Sequence, residues 1–213
     1  MALYLDVPFS QKDEAKALGA GWNPEKKKWY VKDKSNYHKF QKWIITDNKD
    51  GRIVVCDYFY LVEGLRVCFK CEKPIKVVGF GIENFISFYD SEAYKYYKYY
   101  DGEIHIAEHF EPLPEVLLDY LKRTYNYYYG YSKATDSNYY GNHCNHCGIL
   151  QGNFYLYNEV ESPFFVNNIE KSKSLKLYRI ALPDDIIALV GVRFGSEDHL
   201  IKKHAKIVTL NID

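Results

Sequence analysis

Four of the five cysteines fall into two Cys-x-x-Cys pairs, Cys68-Phe69-Lys70-Cys71 and Cys144-Asn145-His146-Cys147, the second followed by Gly148. Thiols at this spacing point to metal binding. A Cys-x-x-Cys turn holds two sulfurs about 3.5–4 Å apart, the edge of a tetrahedron with metal–sulfur bonds near 2.3 Å. Gly148 lets the backbone turn back with its N–H groups facing sulfur. Two pairs supply four thiolates, and the spacing predicts a structural Zn2+ held by Cys68, Cys71, Cys144 and Cys147. A closed shell of four sulfurs leaves no position for a reacting water. A redox Cys-x-x-Cys needs one pair at a strand-to-helix junction, not two pairs with a Gly after one. His143 and His146 flank the second pair and are alternative ligands, which four sulfurs make unnecessary. Cys56 reads as a buried apolar residue.

A second pattern invites an enzymatic reading. His105-Ile106-Ala107-Glu108-His109 spells H-x-x-E-H, the inverted zinc-peptidase motif, in which two His one helical turn apart bind metal and Glu acts as base. The surroundings argue otherwise. Ile104, Ile106 and Phe110 alternate with the two His at a strand period, and Gly102 and Pro112 leave little room for a helix. The bland reading is two exposed histidines on an edge strand. A zinc hydrolase built on His105, Glu108 and His109 stays a remote alternative. No G-x-S-x-G, Walker A, Rossmann or deaminase pattern accompanies it. The chain therefore reads as non-enzymatic.

Tyrosine is the compositional outlier, with 22 residues, and 14 of them lie in 89–140 between the cysteine pairs. Tyr94-Lys95-Tyr96-Tyr97-Lys98-Tyr99-Tyr100 and the Tyr125–Tyr131 run stand out. A/T-rich codons and core packing account for most of this bias. A Tyr-rich protein interface and base stacking are the functional alternatives. The formal charge is zero, from 28 basic and 28 acidic side chains, which excludes a protein whose whole surface is a basic clamp. Residues 1–50 carry 10 basic and 7 acidic side chains, whereas 51–160 carry 10 and 14, so the middle is mildly acidic and argues against phosphate binding there. No apolar run is long enough to span a bilayer and no signal peptide is legible, so a reducing, cytoplasmic setting is expected.

The elements that must position these residues predict an α+β chain. A small β-α-β-α module covers 1–48: a strand at Tyr4–Val7, a helix from Gln11 to Leu18 capped by Ser10 and stopped by Gly19, a turn at Asn23-Pro24, a strand at Lys28–Val31 and a helix from Ser35 to Ile45. Trp22 and Trp29 bracket the turn and are expected to fill its small core. The Asp47–Gly51 loop is the boundary. A zinc-stapled α+β domain over 52–213 follows, with a long excursion at 82–140 between the cysteine pairs. Pro114 opens a helix reaching about Tyr128. Residues 130–142 read as a loop, Phe154–Tyr157 as a strand and Pro183–Val190 as a short helix or apolar run. A C-terminal segment, 162–213, adds strands at Leu175–Leu182 and Lys206–Ile212 and a helix at Ser196–His204.

The N-terminal strings Tyr4-Leu5-Asp6-Val7-Pro8-Phe9, Lys12-Asp13-Glu14-Ala15-Lys16-Ala17-Leu18-Gly19-Ala20, Trp22-Asn23-Pro24 and Lys28-Trp29-Tyr30-Val31 resemble domain-of-unknown-function family 5710. This bacterial and phage module is often fused to plasmid primases and other DNA-processing proteins. Where the family carries a basic residue before the Trp, this chain has Gly21; Lys26, Lys27 and Lys28 partly compensate. The run from His143 to Gly152 is similar to a zinc-knuckle region of uncharacterised bacterial proteins that pair it with the same module. The resemblance implies this architecture in a bacterial or phage protein and supplies no activity; the residues themselves suggest a zinc-binding protein whose module contacts nucleic acid through Lys26, Lys27, Lys28 and Trp29. The alternative is a protein-interaction adaptor, in phage–host conflict or regulation, using the Tyr-rich surface.

Overall fold

The computed structural model describes residues 1–44, 51–90 and 95–212. The fold is α+β. At the N-terminus come β1 (Leu3–Leu5), α1 (Lys12–Ala17), β2 (Gly21–Asn23), β3 (Lys28–Val31) and α2 (Gln41–Ile44), with one 3-10 turn leading into each helix. The strands form a sheet in the order β1-β3-β2. Gly19 stops α1 as expected. Its φ is 98°, and the next N–H, that of Ala20, reaches back to the Ala15 carbonyl at 3.0 Å. The caps differ from expectation. Ser10 lies inside the 3-10 turn Phe9–Gln11, and α1 begins without a side-chain cap. Asp33, ahead of the expected helix start at Ser35, caps the second helical stretch by accepting the Ser35 N–H at 3.0 Å. The expected boundary at Asp47–Gly51 lies, apart from Gly51, outside the described residues, as do Ile45 and Tyr94.

Among the described residues, most of the strands after the module build one nine-stranded sheet. Its strands are β4 (Arg52–Val55), β5 (Tyr58–Val67), β6 (Pro74–Ile82), β7 (Phe85–Asp90), β8 (Lys95–Tyr100), β9 (His105–Glu111), β12 (Lys176–Ala181), β13 (Ile186–Val192) and β14 (Lys206–Thr209). The order is β14-β12-β5-β6-β9-β13-β4-β7-β8. Neighbours are antiparallel except β12 and β14. The remaining elements are α3 (Glu115–Tyr125), the hairpin β10 (Tyr127–Ser132) and β11 (Ser137–Asn142), α4 (Asn153–Tyr157), α5 (Ile169–Ser174) and α6 (Asp198–His204). No helix among the described residues is long and apolar enough to cross a membrane.

Three expectations change here. Residues 130–142 are not a loop but most of a hairpin, in which Tyr131 pairs with Asn138. Tyr131, Tyr139 and Tyr140 are strand formers, and they carry the ribbon past the Gly, Ser and Asn residues between them. Phe154–Tyr157 lies in a helix, because Leu156 and Tyr157 must both turn into the core from a single short turn. Pro183–Val190 leads into β13, which lies between β9 and β4 with Ala188 and Val190 buried and its other residues partly exposed. The 82–140 stretch is also less of an excursion than its position between the cysteines suggests. It supplies β7, β8 and β9, and β9 lies between β6 and β13 in the middle of the sheet.

The sheet is covered on both faces, and the pleat assigns each residue to its side. On β5, Phe59 and Leu61 join one core with α3, Val78, Phe80 and Phe110, while Tyr60 and Val62 join the opposite one. That opposite face is divided between two covers. At one end Leu3, Leu5, Phe40 and Ile44 of the N-terminal module pack on Val54, Cys56, Ile86 and Phe88 of the sheet. At the other end sit two of the cysteines, α4 and the chain around Phe164. Gly79 is required beneath this second cover: a Cβ there would lie 2.8 Å from the Tyr157 hydroxyl. Cys56 is fully buried in the core shared with the module, as its apolar reading requires.

Candidate metal centre

The two Cys-x-x-Cys segments fold into matching turns. In the first, the Cys68 N–H donates to the Lys73 carbonyl at 2.9 Å and the Glu72 N–H to the Cys68 carbonyl at 2.9 Å. In the second, the Cys144 N–H donates to the Ile149 carbonyl and the Gly148 N–H to the Cys144 carbonyl, both at 2.9 Å. Gly148 has φ 72°, and the equivalent position in the first turn, Glu72, has φ 57°. The left-handed conformation that Gly148 signalled is thus used twice, once by a residue that tolerates it poorly. Gly148→Ala is expected to destabilise the fold by about 1–2 kcal/mol. Glu72→Gly is expected to be neutral or stabilising by under about 1 kcal/mol, because unfolded-state entropy offsets part of the relief. Paired urea titrations check both signs.

The first turn joins β5 to β6, and the second follows β11. Sγ of Cys68 lies 3.8 Å from that of Cys147, and Sγ of Cys71 lies 3.6 Å from that of Cys144. These separations are far beyond a disulfide bond near 2.05 Å and match the edge of a thiolate tetrahedron. All four sulfurs lie within 4.8 Å of one another. The set fits a metal ion with four thiolate ligands. Cys68 and Cys144 are buried, while Cys71 and Cys147 are half-buried.

Polar groups outside the cluster are aimed at its sulfurs. The His146 N–H points at Cys144 Sγ at 3.3 Å, and the fully buried Gln151 places Nε2 3.5 Å from Cys68 Sγ. Asn142 clamps the approach to the second turn by replacing a strand partner: its Oδ1 accepts the Val78 N–H and its Nδ2 donates to the Val78 carbonyl. Burial opposes ionisation of Cys68, but the N–H groups of Cys71 and Lys70 outweigh it and bring the thiol down to about 6. Cys71 goes the other way. The Lys73 N–H favours its thiolate, but burial and the neighbouring thiols push it up to about 11. Four thiolates so close together repel one another, and a bound cation is what allows all to ionise.

His146 meets Cys144 Sγ through its backbone N–H, and His143 is occupied elsewhere: its ring stacks on Tyr128 at 3.7 Å and its Nδ1 lies 2.9 Å from the Gly141 carbonyl. Gln151 is a sulfur partner that no sequence pattern singles out. The H-x-x-E-H residues lie on a strand, as their period predicts, but that strand is central rather than an edge. His105 is buried, with Nδ1 2.7 Å from Oδ2 of Asp198 on α6, and Glu108 pairs with Arg193. Among the described residues these three do not gather into a ligand cluster.

In the N-terminal module, Asn23 Oδ1 accepts the N–H groups of Glu25 and Lys26 and shapes the turn carrying Lys26, Lys27 and Lys28. Lys27 takes φ 51° at its tip. Lys26 pairs with Asp184 at 2.6 Å and lies over the Tyr4 ring at 4.0 Å. Its hydrogen bond to Asp184 raises its pKa, so it is charged at neutral pH. Lys28 pairs with the exposed Asp6 at 3.1 Å. The tryptophans do not both enter the core. Trp22 is 49% exposed and meets Trp29 edge to face at 5.6 Å, while Trp29 packs on the core. Tyr37, Phe40 and Trp43 supply the large rings instead, from a helical stretch that places all three on its inner side. The tyrosine tracts divide as well. Tyr125 and Tyr127 are buried in the main core, whereas Tyr97, Tyr99, Tyr129 and Tyr131 are exposed.

Comparison with known proteins bears on the N-terminal module. Residues 2–44 match the family described as Domain of unknown function (DUF5710). Two proteins of Escherichia coli, both named DNA primase TraC, are similar over the same length: one is 45% and the other 50% identical over 40 residues, 19% of this chain. The chain covers only 3% and 4% of the length of these two relatives. No solved structure matches.

Proposed function

We propose that this chain is a nucleic-acid-associated binding protein of a bacterium or phage, working in the cytoplasm, with a structural Zn2+ at Cys68, Cys71, Cys144 and Cys147. The observation that carries this reading is the similarity of the module to segments of two proteins named as DNA primases. The metal ties the β5–β6 turn to the segment after β11 and performs no chemistry. The module, 1–48, is the contact element, and the domain over 52–213 is its platform. Lys26, Lys27 and Lys28 meet phosphate, with Lys26 and Lys28 exchanging their carboxylate partners for it, and the paired rings of Trp29 and Trp22 stand beside them.

Changing Lys26, Lys27 and Lys28 together to Glu is expected to weaken binding of a labelled oligonucleotide at least tenfold, since each lost phosphate contact also removes counterion release. Fluorescence anisotropy measures this, and unchanged affinity would place the contact elsewhere. A second reading, a protein-interaction adaptor, is favoured by β8, an edge of the large sheet with Tyr97 and Tyr99 exposed on it. A partner of that kind would bind with little dependence on salt.

A further inference from the structure

The metal turn carries aromatic rings that the fold does not bury. Phe69 stands between two ligands, Cys68 and Cys71, and is 51% exposed. Its ring stacks on Tyr155 of α4, with centroids 5.7 Å apart and planes 24° from parallel. Tyr155 is 42% exposed and meets Phe154, 59% exposed, edge to face at 5.7 Å. The Arg66 guanidinium lies 5.6 Å over the Tyr155 ring and donates to the Tyr155 carbonyl. The same turn bears exposed Lys70 and Lys73, with Glu72 the one acidic residue between Arg66 and Lys73. Glu159, just after α4, also acts on Arg66, so three cations stand against two carboxylates at this corner of a stretch, 51–160, that is net acidic.

We propose that this corner is a second contact surface, a stacking platform for unpaired nucleic acid, formed by Phe69, Tyr155 and Phe154 with Arg66, Lys70 and Lys73. Open ring faces beside cations match what a single strand offers, which is bases with exposed faces and a phosphate beside each. A paired duplex hides its base faces and gains only the phosphate contacts. A protein partner would use the rings but gain nothing from three flanking cations unless it were acidic, and the cations decide for nucleic acid. The platform is held in advance, because Phe69 lies between two metal ligands and Tyr155 is fixed by Arg66. Little ordering entropy then opposes binding. The inference rests on the proposed association with nucleic acid for the class of ligand, but it concerns a different surface from the Lys26–Lys28 turn.

The test uses the full metal-loaded chain with fluorescein-labelled single-stranded DNA, single-stranded RNA and duplex DNA of equal length, read by anisotropy. Phe69→Ala combined with Tyr155→Ala is expected to lower single-strand affinity at least tenfold and to leave duplex affinity within about twofold. Lys70→Glu with Lys73→Glu, which touches no buried group, is expected to weaken single-strand binding and flatten its salt dependence. Metal content and melting temperature are recorded for each variant, and the lysine pair serves if the ring pair fails to fold. Single-strand binding that survives both variants but disappears with the Lys26–Lys28 reversal would overturn the platform and leave the module reading standing. Equal losses for single strand and duplex would also overturn it. A wild-type chain that binds no nucleic acid at low salt would overturn both.

Discussion

Cys144→Ser is expected to abolish stoichiometric metal binding and to lower the stability of the chain by at least about 4 kcal/mol, a large part of the 5–15 kcal/mol typical of a domain. The argument is local. Cys144 is 1% exposed and belongs to the core formed by Cys68, Ile75, Val77, Leu156 and Tyr157. Its loss leaves three thiols held close together without the cation that stabilises them, and its Sγ no longer accepts the His146 N–H. The turn before β6 and the segment between β11 and α4 are then joined mainly by apolar contacts. Metal content by mass spectrometry and melting with and without a chelator measure the effect. One metal per chain with an unchanged melting curve would contradict the four-thiolate site. The same chemistry sets a pH dependence. Ligand thiols must lose their protons to bind metal, so affinity rises with pH and metal is released as pH falls. Cys71, pushed up to about 11 in the metal-free cluster, contributes a proton that binding must displace at neutral pH.

Asp185→Ala is expected to cost about 3–5 kcal/mol, although the residue lies outside the metal centre and the lysine turn. Asp185 is 2% exposed and acts as the joint between the N-terminal module and the large sheet. Its Oδ2 accepts the Tyr37 hydroxyl at 2.7 Å and its Oδ1 accepts the Asp57 N–H at 3.0 Å. Lys34, which also pairs with Asp57 at 2.7 Å, stands 3.9 Å away. Alanine strands the Tyr37 hydroxyl in the interior, and each unsatisfied buried donor costs about 1–3 kcal/mol. Asp185→Asn keeps an acceptor and should cost less than half as much. Urea unfolding gives the magnitudes, and hydrogen exchange locates the loss: β1 and β3 amides should exchange faster than those of β6 and β9. A cost below about 1 kcal/mol, or uniform exchange, would show that the module is held by its apolar contacts alone.

The four-cysteine cluster is legible because its signal is local. Two Cys-x-x-Cys turns carry their own geometry, and only their meeting had to be inferred. The second sulfur partner, Gln151, was not legible, since nothing in a lone glutamine announces that it spans two turns. The same limit explains the H-x-x-E-H residues. Their alternation revealed a strand, but its central position depends on β6 and β13, which are distant in sequence, and so does the burial of His105 against Asp198. Trp22 and Trp29 read as core in the sequence because a small module on its own has few other large apolar groups. In the structure the module borrows Val54, Ile86 and Phe88 from the large sheet, which lets Trp22 remain half exposed. Elements with clear stop signals, such as α1 before Gly19, matched closely. Apolar runs without a visible period, such as the one that forms β13, did not.

The central claim is that this chain associates with nucleic acid through charge on its N-terminal module. The most direct test is the salt dependence of oligonucleotide binding by the intact, metal-loaded chain, measured by fluorescence anisotropy from about 50 to 200 mM salt. Two or three phosphate contacts predict saturable binding at low salt that weakens by roughly one order of magnitude across that range. No binding at low salt, or binding indifferent to salt, would contradict the account and point to a protein partner instead.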